Sequence, residues 1–208
     1  MVVESIKKAK VIPLVQADDP EVAVKTSAAL EAGGLNVIEV VLRTDNAFSC
    51  LQKIAEERTD ALVGAGTVLG IDHAKRSVDN GAKFIVSPGL NAALVEWCMK
   101  ENMPIIPGVA TPSELQTAWN LGLRAVKLFP ASVVGGIPML KALSSVFRDV
   151  VFMPTGGVSE ANLADFLSVP NVIACGGSWL TPAAKIDHGD FAAITDLAQR
   201  ATGIAQSA

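Results

Sequence analysis

The stretch Ala125-Val126-Lys127-Leu128-Phe129-Pro130-Ala131 is apolar apart from one lysine. A run this apolar is what a strand buried on both faces supplies, as in a parallel sheet covered by helices. An ammonium is out of place there unless it is paired or does chemistry, because burial disfavours the charged form of an amine. The free amine is also the form that attacks a carbonyl to make a Schiff base. Read alone, the stretch also allows a strand end whose lysine reaches back to solvent.

Working outward, the same kind of apolar run recurs. Val11 to Val15, Val37 to Leu42, Ala61 to Thr67 and Phe84 to Ser87 precede it, as does Pro104 to Val109. Val150 to Met153 and Val172 to Cys175 follow it. Each run leads through a turn into an amphipathic segment, which predicts repeated βαβ units and a parallel sheet. Helix starts are marked by Thr111-Pro112-Ser113-Glu114, a cap with a first-turn proline and a capping-box glutamate. Asp19-Pro20, Asn91 and Ser159 read as further caps. Gly33-Gly34, Asn80-Gly81 and Gly122 sit where helices end in a left-handed residue. No linker or composition shift divides the chain, so residues 1–208 are expected to form one domain. Eight strand-helix beats in one domain predict an α/β fold, a (β/α)₈ TIM barrel. A doubly wound open sheet is the alternative.

Composition excludes several function classes. Half of the residues are hydrophobic, enough for a large core, yet no apolar run reaches the membrane-spanning length of about 18 residues. The N-terminus alternates charged and apolar residues and lacks the apolar core of a secretory signal, so a cytoplasmic setting is expected. A net charge of -4 without basic clusters speaks against nucleic acid as a partner. Cys50, Cys98 and Cys175 are far apart and odd in number, and read as reduced core thiols. His73 and His188 stand in no ligand spacing, so no metal site is expected. There is no tyrosine to serve as an acid or base.

In a barrel, function collects at the C-terminal ends of the strands. Those ends carry Glu39 and Arg43, Thr67, Pro88, Lys127 and Phe129, Thr155-Gly156-Gly157, and Gly176-Gly177-Ser178. Successive strand residues face opposite sides. Glu39 and Arg43 therefore share a face, with Ile38, Val40 and Leu42 on the other. Arg43 would stand about 13 Å nearer the mouth, at a rise of about 3.3 Å per residue. Lys127 and Phe129 share a face too, and the polar members converge if they point inward. The chemistry then assigns roles. Lys127 attacks a keto group, Glu39 moves protons, and Arg43 grips a carboxylate with help from Thr67. Phe129 packs on the imine. A structural ion pair of Lys127 with Glu39 and Arg43 is the competing reading. Glycine turns after strands seven and eight are where barrels cradle phosphate with backbone N–H groups.

The segments Val37-Ile38-Glu39-Val40-Val41-Leu42-Arg43-Thr44, Val63-Gly64-Ala65-Gly66-Thr67-Val68, Val126-Lys127-Leu128-Phe129-Pro130-Ala131 and Pro154-Thr155-Gly156-Gly157-Val158 resemble the 2-keto-3-deoxy-6-phosphogluconate (KDPG) aldolase family. Gly176-Gly177-Ser178-Trp179-Leu180 adds to the likeness, which runs from about Val11 to Ala198. The resemblance implies a trimeric class I aldolase with a TIM-barrel fold and no cofactor. It implies Lys127 as the Schiff-base residue and Glu39 as the general acid/base. It places Arg43, Thr67 and Phe129 around the pyruvate moiety; Pro88, at the end of strand four, is expected among the substrate contacts. It places Thr155 near the substrate hydroxyls, and Gly156, Gly157 and Ser178 at the phosphate; Gly177, in the second glycine pair, is expected beside them. Leu128 and Ser132 depart from the Phe and Glu that many members carry, which bears on substrate preference.

The expected substrate is the phosphorylated 2-keto acid 2-keto-3-deoxy-6-phosphogluconate, cleaved to pyruvate and glyceraldehyde 3-phosphate. The alternatives are 4-hydroxy-2-oxoglutarate, the phosphogalactonate epimer or oxaloacetate by the same lysine chemistry. A non-catalytic phosphosugar-binding barrel is a third reading, and would tolerate loss of Lys127 or Glu39.

Overall fold

The computed structural model describes residues 2–208. The chain opens with helix α1 (Val2–Ala9) and strand β1 (Val11–Val15), then α2 (Pro20–Ala32), β2 (Val37–Val41) and α3 (Ala47–Glu57). Next come β3 (Leu62–Gly66), α4 (Ile71–Asp79), β4 (Ile85–Val86) and α5 (Ala92–Lys100). The middle holds β5 (Ile105–Ile106), β6 (Gly108–Val109), α6 (Pro112–Asn120), β7 (Ala125–Leu128), α7 (Gly136–Val146) and β8 (Val151–Phe152). The chain ends with α8 (Leu163–Leu167), β9 (Cys175–Gly177), α9 (Ala183–Asp187) and α10 (Phe191–Ser207).

The fold is α/β with parallel strand pairing, as the recurring apolar runs predict. The strands form a six-stranded sheet, β5-β4-β3-β2-β1-β9, and a three-stranded sheet, β6-β7-β8. The run Pro104 to Val109 is therefore two short strands. Pro107 between them has no N–H to give a ladder. Ile105 and Ile106 pair with β4, whereas Gly108 and Val109 pair with Lys127 and Leu128 of β7. At the other junction, isolated parallel bridges join Phe152 to Val172 and Thr155 to Gly176. The Gly176 N–H donates to the Pro154 carbonyl at 2.9 Å.

Two apolar clusters divide the faces of the strands. The larger contains Ile38, Val40, Ala65, Ile85, Val126 and Leu128 and packs beneath the helices. The smaller contains Ile12, Val37, Phe84, Val86, Ile106, Met153 and Ile173, with Ile6 of α1. These residues alternate with members of the larger cluster along each strand, so they line the inner face. Ile6 has no exposed surface and closes the lower end of that inner core. Burying such a side chain is worth about 1.5–3 kcal/mol. Parity then puts Glu39, Lys127 and Thr155 one layer above, on the inner face, toward the C-terminal strand ends. Among the described residues no helix is long and apolar enough to cross a membrane.

Side-chain caps mark the starts of α2, α5 and α6. Asp19 accepts from the Glu21 and Val22 N–H groups, Asn91 from Leu94, and Thr111 with Glu114 forms the full capping box. Gly34, Gly81 and Gly122 end their helices with φ of +92°, +91° and +89°. Two expectations shift. Ser159 caps no helix: the chain runs on through a turn, and Asn162 is the residue before α8. Strand eight lies later than Val172 to Cys175, because Gly176 and Gly177 are themselves paired with Ile12 and Pro13 of β1.

Candidate active site

Lys127 and Glu39 meet at the centre of the inner face. The Lys127 Nζ donates to Glu39 Oε1 at 3.2 Å, with only 5% and 1% of the two side chains exposed. β7 brings the lysine and β2 the glutamate. The space for the glutamate is made by Gly66, where any Cβ would overlap Glu39 Oε1. Glu39 Oε2 is buried and has no hydrogen-bond partner. A buried carboxylate oxygen left unsatisfied costs stability, and a buried ion pair is itself a weak stabiliser. The arrangement is better matched to chemistry than to holding the fold together. The Lys127 Nζ also lies 5.4 Å from the centre of the Phe129 ring, so these two share a face as strand parity predicts.

Arg43 takes no part in that pair, which removes it from the structural ion-pair reading. β2 stops at Val41, and the Arg43 N–H turns back to the Val41 carbonyl at 2.9 Å. Strand parity therefore does not extend from Glu39 to Arg43. Instead the exposed guanidinium reaches Thr67, with Nε donating to Oγ1 at 3.2 Å. Thr67 holds φ +62°, an outlier for a β-branched residue. Such backbone costs of order 1–3 kcal/mol and collects at working sites. Pro88 lies at the same end, after β4, and its carbonyl packs where a Gly108 Cβ would stand.

Beyond β8 the chain makes a tight turn through Gly156 and Gly157, with φ +94° and +80°. Three consecutive carbonyls of this turn are held from outside. The Ala131 N–H donates to Thr155 O at 2.8 Å, and the Ser132 N–H to Gly156 O at 3.0 Å. The Asn162 Nδ2 donates to Gly157 O at 3.0 Å. In a trans peptide the N–H points opposite to the C=O. The N–H groups of Gly156, Gly157 and Val158 are accordingly turned away from these anchors. Among the described residues none of the three has a partner. Such unpaired N–H groups suit an anion.

Gly176 and Gly177 were expected as a second glycine turn and are not one. Both lie in β9, and neither has a left-handed φ. They are glycines because neighbours come close. A Cβ on Gly176 would overlap Thr155 Oγ1, and one on Gly177 would lie 2.5 Å from the Trp179 ring. Thr155 is buried, and its hydroxyl lacks a partner, as does the Trp179 indole nitrogen. Ser178 follows, exposed, as the first residue of a short 3₁₀ turn.

Sequence reading missed Gly66, Trp179 and Asn162. Gly66 and Trp179 lie inside quoted motifs, but their packing roles are invisible in one dimension. Asn162 carries no signal beyond that of an ordinary helix start. Leu128 is fully buried in the outer core and faces away from Lys127, so its departure from the family pattern lies outside the site. Ser132 does lie at the site: a Cβ on Gly157 would overlap its hydroxyl.

The cysteines are unfit as nucleophiles. All three are buried, and burial above all pushes Cys50 and Cys98 up to about 11 and Cys175 to about 12. Among the described residues no group of three His, Cys, Asp or Glu is placed to hold a metal ion. A cavity of about 630 Å³ lies at the opposite ends of the strands, lined by Lys8, Lys10, Asn36 and Asp60. None of the candidate residues lines it.

Comparison with known proteins gives a consistent result. Residues 2–197 match the aldolase family described as KDPG and KHG aldolase. The 2-dehydro-3-deoxy-phosphogluconate aldolase of Treponema pallidum is 42% identical, over 95% of this chain and 94% of its own. The 2-keto-3-deoxy-6-phosphogluconate aldolase of Zymomonas mobilis, crystallised with 3-phosphoglycerate, superposes with a TM-score of 0.92. It is 40% identical and the match covers 97% of this chain and 95% of that one. The KDPG aldolase of Legionella pneumophila, with pyruvate captured at low pH as a covalent carbinolamine, also gives 0.92 at 40% identity. That match covers 95% of this chain and 96% of that one.

Proposed function

This chain belongs to the KDPG and KHG aldolase family, and from that membership we propose how its own residues carry the reaction. It is a class I aldolase, a carbon–carbon lyase that cleaves 2-keto-3-deoxy-6-phosphogluconate to pyruvate and glyceraldehyde 3-phosphate. The observation that carries the residue assignment is the buried Lys127–Glu39 contact with Glu39 Oε2 left free.

The Lys127 amine adds to the keto carbon, and the carbinolamine loses water to give a protonated imine. The β-hydroxyl then gives its proton to Glu39 through the free Oε2. The bond between the α and β carbons breaks, and its electron pair moves into the imine to form an enamine. Glyceraldehyde 3-phosphate leaves. The enamine takes a proton at the α carbon, and water hydrolyses the imine, releasing pyruvate and restoring the amine. Arg43, oriented by Thr67, holds the substrate carboxylate in this reading. Phe129 covers the imine, and Pro88 closes the side of the pocket. Thr155, with its unpartnered hydroxyl, meets the substrate hydroxyls. The free N–H groups of the Gly156-Gly157 turn, with Gly177 and Ser178 beside them, take the phosphate. That turn favours a phosphorylated substrate over 4-hydroxy-2-oxoglutarate, the second substrate of the family's name.

Closure into one eight-stranded (β/α)₈ barrel belongs to the proposal. The shared segment around Pro107 and the bridges at Phe152 and Thr155 support it, because they link both pairs of sheet edges. So does a single domain over residues 1–208. A homotrimer is what the family resemblance implies, a cytoplasmic setting is the expectation from the sequence, and both are part of the same reading.

The assignment is tested by incubating the enzyme with pyruvate and borohydride and mapping the labelled peptide. A reduced pyruvyl group on Lys127 is expected. An adduct on Lys83 or Lys141 instead, or none, would overturn the assignment.

A further inference from the structure

Three carbonyls orient the turn that follows β8, and their anchors differ in kind. Thr155 O and Gly156 O are held by the backbone N–H groups of Ala131 and Ser132. These bonds belong to the fold, whatever side chains stand there. Gly157 O alone is held by a side chain, the Asn162 amide. The same amide accepts from the Ser159 N–H at 2.8 Å through Oδ1, so both ends of Asn162 are engaged across the turn. Gly157 has a left-handed φ that glycine adopts at little cost in several neighbouring geometries. Gly156 shares that freedom, but its carbonyl is held by backbone, so the peptide between Gly157 and Val158 is the one of the three whose orientation depends on a side chain.

We infer that Asn162 is a positioning residue for the substrate phosphate. It touches no reacting atom. It pins the Gly157 carbonyl outward, and so aims the Val158 N–H at the anion. Because the peptide is planar and trans, fixing one end fixes the other. The inference rests on the reading of this turn as the phosphate site. It goes further by making one side chain outside the turn responsible for one of its three donors.

Two variants separate this role from simple folding. Asn162→Ala removes both bonds. Asn162→Asp keeps the acceptor for Ser159 but cannot donate to Gly157. Inhibition by 3-phosphoglycerate and by inorganic phosphate is measured with each. So are turnover and KM for the phosphorylated substrate and for 4-hydroxy-2-oxoglutarate. Both variants are expected to weaken the two phosphate probes by about tenfold or more, the scale for a hydrogen bond to a charged group. KM for the phosphorylated substrate rises in step, while rates with the unphosphorylated acid stay as in wild type. The Asp variant keeps its loss at high salt, where simple charge repulsion would be screened. Equal losses on both substrates would make Asn162 structural and overturn the inference. Unchanged phosphate inhibition in folded variants would overturn it as well. If wild-type enzyme itself is insensitive to phosphate, the phosphate-site reading fails first, and that outcome is distinct from the other two.

Discussion

Gly66→Ala is the most discriminating perturbation, because it attacks Glu39 without touching it in sequence. Gly66 ends β3 with no left-handed φ, so alanine suits its backbone. The added methyl would overlap Glu39 Oε1 and stand 2.6 Å from its Cγ and 2.7 Å from its Cδ. Relaxed carbon contacts lie at about 3.5–4.0 Å, so the carboxylate must retreat by roughly 1 Å. Its contact with Lys127 is 3.2 Å. A retreat on that scale carries it past the hydrogen-bond range of about 3.2 Å for a nitrogen donor. Glu39 is 1% exposed and cannot escape into solvent. The overpacking itself is expected to cost about 1–3 kcal/mol of stability. The rate should fall by about 10²–10⁴, the contribution of a positioned general acid/base.

The assay couples pyruvate release to a reporter enzyme, beside urea unfolding of the same preparations. Glu39→Gln should lose a similar factor. The double variant should be no slower than the slower single, since both changes disable one proton carrier. Gly66→Ala that keeps most of its turnover would refute the reasoning. So would losses that multiply in the double variant, which would mean that Gly66 acts through something other than Glu39.

Two further outcomes follow from the same geometry. Thr67→Gly relieves about 1–3 kcal/mol of left-handed strain against a glycine cost of about 0.5–1 kcal/mol. The melting temperature should rise and KM for pyruvate-type acids should worsen, because Arg43 loses its partner; a drop in melting temperature would show that the strain is not real. The three thiols should resist alkylation in the native enzyme at mildly alkaline pH and react only after unfolding, read by mass spectrometry. Their folded values are pushed up from 9.0 to about 11 for Cys50 and Cys98 and about 12 for Cys175. The stability they lend is therefore present below the unfolded thiol value and is lost as pH climbs from there toward the folded values. Rapid native labelling of any one would contradict that burial.

What could be read from the chain divides along a physical line. Strand positions were legible because burial on two faces demands unbroken apolar runs, and β1, β2, β3 and β7 lie within such runs. Caps at Asp19, Asn91 and Thr111 were legible because the residue itself supplies the bond. Contacts that depend on a distant neighbour left no local trace. Pro107 looks like an ordinary strand residue until its missing N–H splits the ladder between two partners. Gly176 and Gly177 look like a turn, yet their glycines answer to Thr155 and Trp179 packed against them.

The same line runs through the site. Lys127 and Glu39 stand out because a charge in an apolar strand needs a reason, and each turned out to be the other's partner. Arg43 was singled out through strand parity that does not apply to it, since the strand has ended two residues earlier. It still comes to the C-terminal end, because the chain leaving β2 must turn there, and Thr67 leaves β3 beside it. The residues that make the site specific were the least visible. Gly66 gives Glu39 its room, and the N–H groups of Ala131 and Ser132 hold the turn after β8. None of these uses a functional group that marks a residue type. If the turn takes the phosphate as proposed, substrate preference depends more on its backbone and on what anchors it than on the charged pair, which any keto acid of this chemistry would require. Changing Asn162 should thus alter which acid is preferred, whereas changing Lys127 or Glu39 should disable all of them alike.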